Sequence, residues 1–270
     1  MGVVNVTPDS FSGDGVLDVK EAVDLALRHV KEGADLIDIG GQSTRPGHTP
    51  ISDDEELARV LPVLTAVRKA VDALISIDTF SPRVYLEARA AGADIVNSVW
   101  GFQKGLLEGF KKEKCPIVIM HNQDVAEYPD GLMNELCRYL RSEAEKALGL
   151  GLSKDQIVLD PGIGFGKTAD HNLTILREFR QIKELGFPTL IGTSRKSTIG
   201  KLTGREPDKR IYGTAASVAL AIQTGVDIVR VHDVAEMLDV VRVADAVTRN
   251  WRPSDWENMR QERKVNAGSH

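Results

Sequence analysis

The chain has 270 residues, 42% of them hydrophobic and 27% charged, which supplies a sizeable core and excludes a disordered or fibrous protein. Lys and Arg number 34 against 39 Asp and Glu, and this net charge of −5 argues against a protein whose main work is gripping a nucleic-acid backbone. Two cysteines, Cys115 and Cys137, cannot build a disulfide framework or a zinc cluster, and no apolar run approaches the roughly 18 residues of a membrane span, so a cytoplasmic chain without signal peptide or membrane contact is expected.

Short β-branched runs alternate with helix-length amphipathic stretches from end to end, the pattern of βα units around a parallel sheet. The first predicted strand covers 3–6. The helix after it begins at the capping pattern Asp18-Val-Lys-Glu21 and places Ala22, Val23, Ala26, Leu27 and Val30 on one face. A strand at 36–39 leads to a helix started by Ser52-Asp-Asp-Glu55, with Leu57, Val60, Leu61, Leu64 and Val67 inward. A strand at 74–78 precedes Ser81-Pro82, a cap followed by proline at the first helical position. Further strands are predicted at 94–97, 116–120, 157–160, 188–192 and 227–231, the last followed by Asp233-Val-Ala-Glu236 as another capping box. Three segments, Gly33-Ala-Asp-Leu-Ile-Asp38, Gly92-Ala-Asp-Ile-Val-Asn97 and Gly225-Val-Asp-Ile-Val-Arg230, align without gaps: a glycine ends a helix in the left-handed conformation and a buried strand runs up to a polar residue. Eight such units predict an α/β single-domain (β/α)₈ TIM barrel over residues 1–250, with an open doubly wound sheet as runner-up and a polar, flexible tail over 251–270.

Nearly every apolar strand ends in a polar side chain: Asn5, Asp38, Asp78, Asn97, His121, Asp160 and Arg230, with Lys196 and His232 one step beyond theirs. One such residue is as readily a helix cap as a functional group. A set of them at one mouth is not, because burying several charges without compensation costs several kcal/mol each. Asp78 and Asp160 fit either an acid/base pair, as in a glycosidase, or paired acceptors for a heterocycle with adjacent N–H donors. Asn97 and Lys196 favour the heterocycle, as does an aromatic content of 5%, too low for several sugar-stacking platforms.

A second cluster is cationic: Arg45 in Ser43-Thr-Arg-Pro-Gly47, Arg195-Lys196 in Thr193-Ser-Arg-Lys-Ser197, and Arg230 and His232 in Arg-Val-His. Guanidinium forks beside glycine-lined backbone suit phosphate. The run Asp160-Pro-Gly-Ile-Gly-Phe-Gly-Lys-Thr168 is neither a Walker A loop nor a dinucleotide fingerprint, since its glycine spacing fits neither. Its glycines instead predict close approach of backbone to a flat ligand, with Phe165 packing on it.

Six segments together resemble the dihydropteroate synthases, pterin-binding (β/α)₈ enzymes of folate synthesis: Gly2-Val-Val-Asn-Val-Thr-Pro-Asp-Ser-Phe11, Asp38-Ile-Gly-Gly-Gln-Ser-Thr-Arg-Pro-Gly47, Ser76-Ile-Asp-Thr79, Asp160 to Lys167, Ser194-Arg-Lys-Ser197 and Arg230-Val-His232. They follow the family's order over almost the whole chain. The resemblance implies a transferase that condenses 6-hydroxymethyl-7,8-dihydropterin diphosphate with p-aminobenzoate to 7,8-dihydropteroate and pyrophosphate. It implies Asp78, Asp160, Lys196 and Arg230 as the catalytic set, and Asp78, Asn97, Asp160, Lys196 and Arg230 around the pterin. Asn5, Arg45, Arg230 and His232 would hold the diphosphate, with Mg²⁺ on Asn5. Phe11, Thr44, Pro46, Phe165, Lys196 and Ser197 would close over p-aminobenzoate. A homodimer is implied by the same likeness. The first loop departs from the family, reading Ser-Phe-Ser-Gly-Asp-Gly15 in place of Ser-Phe-Ser-Asp-Gly-Gly, so Asp14 receives no role. Two alternatives lack part of this pattern's logic: a pterin-dependent corrinoid methyltransferase does not need the cationic segments, and a non-catalytic pterin-binding paralogue does not need the full charged set.

Overall fold

A computed structural model describes residues 1–6, 19–42 and 51–256. Eight parallel strands appear in chain order: β1 (Gly2–Asn5), β2 (Leu36–Gly40), β3 (Leu74–Asp78), β4 (Ile95–Ser98), β5 (Ile117–Met120), β6 (Ile157–Asp160), β7 (Leu190–Ile191) and β8 (Ile228–Val229). The first six form one sheet and the last two another. Single parallel bridges link them, Leu159 with Thr189 and Gly2 with Val231, so neighbours follow the sequence all the way round to β1. This sequential order is the one the eight-unit reading predicts and not the reversed order of a doubly wound sheet.

The helices lie between the strands: α1 (Val19–Lys31), α2 (Asp53–Ala70), α3 (Pro82–Ala90), α4 (Leu106–Lys112), α5 (Leu132–Gly149), α6 (Ala169–Glu178), α7 (Arg180–Lys183), α8 (Ser197–Thr203), α9 (Ile211–Gln223) and α10 (Val234–Thr248). Two predicted caps form: Ser52 accepts from the Glu55 N–H and Ser81 from the Val84 N–H. Gly33, Gly92 and Gly225 all have positive φ, as their shared motif requires. Two expectations fail. Leu27 is 41% exposed, because the buried face of α1 runs through Ala22, Ala26 and His29, whose Nε2 lies 3.2 Å from the Val3 carbonyl. Asp233 makes no capping bond, because its carboxylate is taken by Arg195. The box at 18–21 has its cap outside the described residues. So does most of the tail, although Trp251 still donates its N–H to the Asp245 carbonyl.

Strand pleating decides what each residue faces. Ile37, Ile39, Ile75, Ile77, Val96, Ile117, Ile119, Ile157, Leu159 and Ile191 pack in the large core between strands and helices. The alternate positions Ile95, Val118, Val158, Leu190 and Ile228 form a separate small cluster with Met1, which fills the lower interior. Two residues farther along, the same parity brings Asn5, Gly40, Asp78, Asn97, Met120, Asp160, Gly192 and Arg230 to the upper interior. Two of these eight are glycines. A Cβ on Gly40 would stand 3.3 Å from the Cβ of Asp78, and one on Gly192 would stand 3.9 Å from that of Arg230.

Candidate functional site

The upper interior is an acidic and amide layer with one guanidinium reaching across it. Arg230 donates Nε to Asp38 Oδ2 at 2.7 Å, places Nη2 2.6 Å from the same oxygen, and donates Nη2 to Asp78 Oδ2 at 3.2 Å. Asn97 donates its amide to Asp38 Oδ2 at 3.2 Å. The other oxygens, Asp38 Oδ1 and Asp78 Oδ1, are buried with no hydrogen-bond partner. Asp160 uses Oδ1 to accept the Gly162 N–H at 2.7 Å.

Burial, seconded by the Asp38 charge, pushes the Asp78 carboxyl up to about 7 against the pull of Arg230. Burial likewise pushes Asp160 up to about 6, opposed by the Gly162 N–H and by Lys196. Burial alone would lower Arg230, yet Asp38 and Asp78 hold its guanidinium above the ordinary value. Three buried carboxylates, with Asp38 Oδ1 and Asp78 Oδ1 unpartnered, form a site short of hydrogen-bond donors. A flat ring bearing several N–H groups supplies those donors.

One wall is the loop after β6. Lys196 Nζ stands 4.3 Å from the centre of the Phe165 ring, so these two predicted residues come together. Two glycines of this loop also serve a purpose beyond the expected one. A Cβ on Gly162 would collide with the His121 carbonyl, and one on Gly166 with the Gln123 carbonyl, so they let the loop approach the protein's own backbone after β5. Lys167, to which the sequence reading gave no role, locks that approach: its Nζ lies 3.0 Å from His121 Nδ1 and donates to the Phe165 carbonyl at 2.8 Å. Burial holds Lys167 down to about 7. His121 points out of the layer, edge-on to Tyr139, and burial keeps it neutral at about 3.

The other wall carries His232. Its backbone N–H donates to Ser194 Oγ at 3.2 Å, and the same hydroxyl meets Nδ1 at 3.0 Å. One hydroxyl thus holds both the backbone and the Nδ1 edge of the His232 ring. Burial first, then Arg230 and Arg195, lower His232 to about 4. The predicted cation is therefore a neutral N–H donor at physiological pH. Arg195, expected in the cationic rim, is paired with Asp233. Ser197 is exposed at the first turn of α8, and Asn5 is half-buried at the end of β1. Phe11, Thr44, Arg45 and Pro46, with Asp14, lie outside the described residues. Asp38 is the contributor that sequence reasoning left without a role: it stood among the strand-end residues, but its inward parity one layer below Asp78 carried the signal.

Comparison with known proteins agrees with this geometry. A family model described as pterin binding enzyme matches residues 1–232. A dihydropteroate synthase of Synechocystis is 44% identical over 260 residues, covering 92% of this chain and 90% of its own length. The crystal structure of the Clostridium difficile dihydropteroate synthase in the presence of pteroic acid superposes with a TM-score of 0.89 at 46% identity, covering 92% of this chain and 96% of that one. The Xanthomonas albilineans enzyme in complex with 7,8-dihydropteroate gives 0.85 at 41%, covering 94% of each. A buried layer of acceptors beneath an arginine, in a barrel of this order and at these identities, has one assignment: the chain belongs to the pterin binding enzyme family, among the dihydropteroate synthases.

Proposed function

We propose that this barrel mouth joins p-aminobenzoate to the methylene of 6-hydroxymethyl-7,8-dihydropterin diphosphate, forming a C–N bond as the C–O bond to pyrophosphate breaks and a proton leaves the amine. The observation that carries the reading is the layer of Asp38, Asp78, Asn97 and Asp160, in which Asp38 Oδ1 and Asp78 Oδ1 are buried without a partner and Arg230 reaches across to both carboxylates. Asp78 and Asp160 accept the ring's N–H donors and steady positive charge growing on the methylene. Lys196 donates to the ring's carbonyl and, with Phe165 and Ser197, forms the seat of the aromatic amine. Arg230 and the ring of His232 meet negative charge on the departing pyrophosphate, joined by Arg45. No covalent enzyme intermediate is needed. Incubation with the pterin diphosphate, p-aminobenzoate and Mg²⁺ tests the reading: pyrophosphate release that depends on the amine supports it, and binding without turnover or methyl transfer from a reduced folate overturns it.

The carboxyl groups give the reaction a pH signature. Ring N–H donors bind carboxylates better than carboxylic acids, so pterin affinity should rise between about pH 5.5 and 8 as Asp160 and Asp78 ionise. The stability sign is opposite. Both groups are raised above the ordinary 3.8, so folding gains from their protonation at low pH and loses that gain as pH rises through about 6 to 7. Asp78→Asn should therefore melt above the wild type at about pH 8 and converge with it near pH 4, while losing pterin affinity. Parallel melting and affinity curves at all pH values would contradict the assignment.

Mg²⁺ fits as a substrate-borne ion. No group of three or more His, Cys, Asp or Glu among the described residues could hold a metal, whereas Asn5 offers an amide oxygen at the mouth. Asn5 would supply one oxygen to an ion otherwise held by the diphosphate, and the ion would neutralise charge on the leaving group. Asn5→Ala should raise the Mg²⁺ concentration for half-maximal activity about tenfold without changing the affinity for a phosphate-free pterin; an unchanged Mg²⁺ requirement removes Asn5 from the site.

The homodimer reading is supported by an apolar face on two packed helices. Tyr212 and Leu220 of α9 are 87% and 55% exposed, and Val243 and Val247 of α10 are 66% and 78% exposed. Each pair repeats at multiples of four residues, so each forms a stripe. Sedimentation should give twice the monomer mass, reverting to one on Tyr212→Glu with Val247→Glu; a monomeric wild type at micromolar concentration excludes it. A cytoplasmic setting accords with Cys115 and Cys137 both being free thiols. No helix among the described residues is long and apolar enough to cross a membrane.

A further inference from the structure

Arg195 adopts φ 58, the left-handed region, where a side chain costs about 1–2 kcal/mol relative to glycine. Both backbone polar groups of this residue and the Nε–Nη2 edge of its guanidinium are held in place. Its N–H donates to Thr214 Oγ1 at 3.2 Å, and its carbonyl accepts from Arg210 Nη1 at 2.9 Å. Its guanidinium donates through Nε to Asp233 Oδ2 at 3.0 Å and through Nη2 to Asp233 Oδ1. Asp233 has forgone a helix cap of about 1 kcal/mol on α10 to make this fork.

The neighbours of the strained residue face different walls. Ser194 holds both the backbone and the ring of His232, and Lys196 lies over Phe165. A left-handed residue between them turns the chain so that adjacent side chains serve opposite sides of the mouth. We propose that Arg195 and Asp233 are a positioning pair that fixes this turn and so registers the pyrophosphate-facing His232 against the amine-facing Lys196. The proposal rests on the functional reading above and adds two residues to it that touch no substrate. The pair's side chains are 39% and 17% exposed, so solvent screening keeps its contribution to stability small. Its effect belongs to catalysis.

The test measures kcat, both KM values and Tm for Arg195→Ala, Arg195→Gly, Asp233→Asn and the double variant Arg195→Ala with Asp233→Asn. Arg195→Ala and Asp233→Asn should each lose about tenfold or more in kcat/KM, with KM rising for the pterin diphosphate and for p-aminobenzoate together. The double variant should be no worse than the poorer single one within about twofold, since one unit is broken once. Arg195→Gly, which adopts the turn without strain, should recover part of the loss. His232→Ala should raise KM for the diphosphate substrate only, and Phe165→Ala for the amine only. Near-normal kcat/KM in Asp233→Asn, additive losses in the double variant, or a loss that follows Tm alone overturns the pair. Because Asp233→Asn is isosteric, it carries the expectation if an Arg195 variant fails to fold. A wild type without turnover refutes the functional reading instead, and a wild type that turns over beside indifferent variants refutes only the pair.

Discussion

Asp160→Asn is expected to weaken binding of a phosphate-free pterin about a hundredfold or more while leaving the fold intact. The two oxygens of Asp160 are not equivalent. Oδ1 accepts the Gly162 N–H at 2.7 Å, a bond set by the backbone after β6. An asparagine satisfies that N–H only by turning its own oxygen toward it, which aims the amide NH₂ at the ligand. An N–H donor of the pterin would then face a donor, losing one bond and leaving two polar hydrogens buried together. Each contributes about 1–3 kcal/mol, and together their roughly 2–6 kcal/mol brackets the roughly 2.7 kcal/mol of a hundredfold change. The apo protein gains, because Asp160 is a carboxyl that burial already holds at about 6. A fluorescence titration beside a melting curve therefore separates the two effects: lower affinity with equal or higher Tm is expected. Unchanged affinity would remove Asp160 from the pterin seat.

The eight strands were legible because buried parallel strands read as short β-branched runs and glycines with positive φ punctuate them. Strands β3 and β6 match the predicted limits, and β7 and β8 shrink to two residues each, since only their central pairs form the paired ladder. The polar strand ends were legible as a set, but their directions were not. Parity separates Asp160 and Arg230, which point inward, from His121, which lies one residue past an inward Met120 and turns out between Tyr139 and Lys167. Charge state was also hidden: His232 reads as a cation in sequence, and only its burial beside Arg230 shows that it is neutral. Asp233 illustrates the same limit. Its spacing to Glu236 is that of a capping box, yet a guanidinium 38 positions earlier in the chain takes its carboxylate, and no local pattern records such a competitor.

Arg230→Met should abolish turnover and also lower Tm by on the order of 10 °C, a stability cost unusual for a substrate-binding residue. The reason is Asp38, which is fully buried and receives both Arg230 Nε and Nη2 on a single oxygen. Without the guanidinium, Asp38 keeps one amide donor, from Asn97 at 3.2 Å, and its Oδ1 still has none. Leaving a buried carboxylate uncompensated costs about 3–5 kcal/mol, and each kcal/mol moves Tm by roughly 2–4 °C in a chain of this size. Methionine fills much of the arginine's volume, so the loss reports charge more than cavity. The double variant Asp38→Asn with Arg230→Met removes the stranded charge and should regain most of the melting temperature. It should regain none of the activity, because a cation proposed to meet the leaving pyrophosphate is still gone, a loss of about a thousandfold or more in kcat. If the double variant melts no higher than Arg230→Met, the arginine stabilises the barrel by packing, and Asp38 is not the group it compensates.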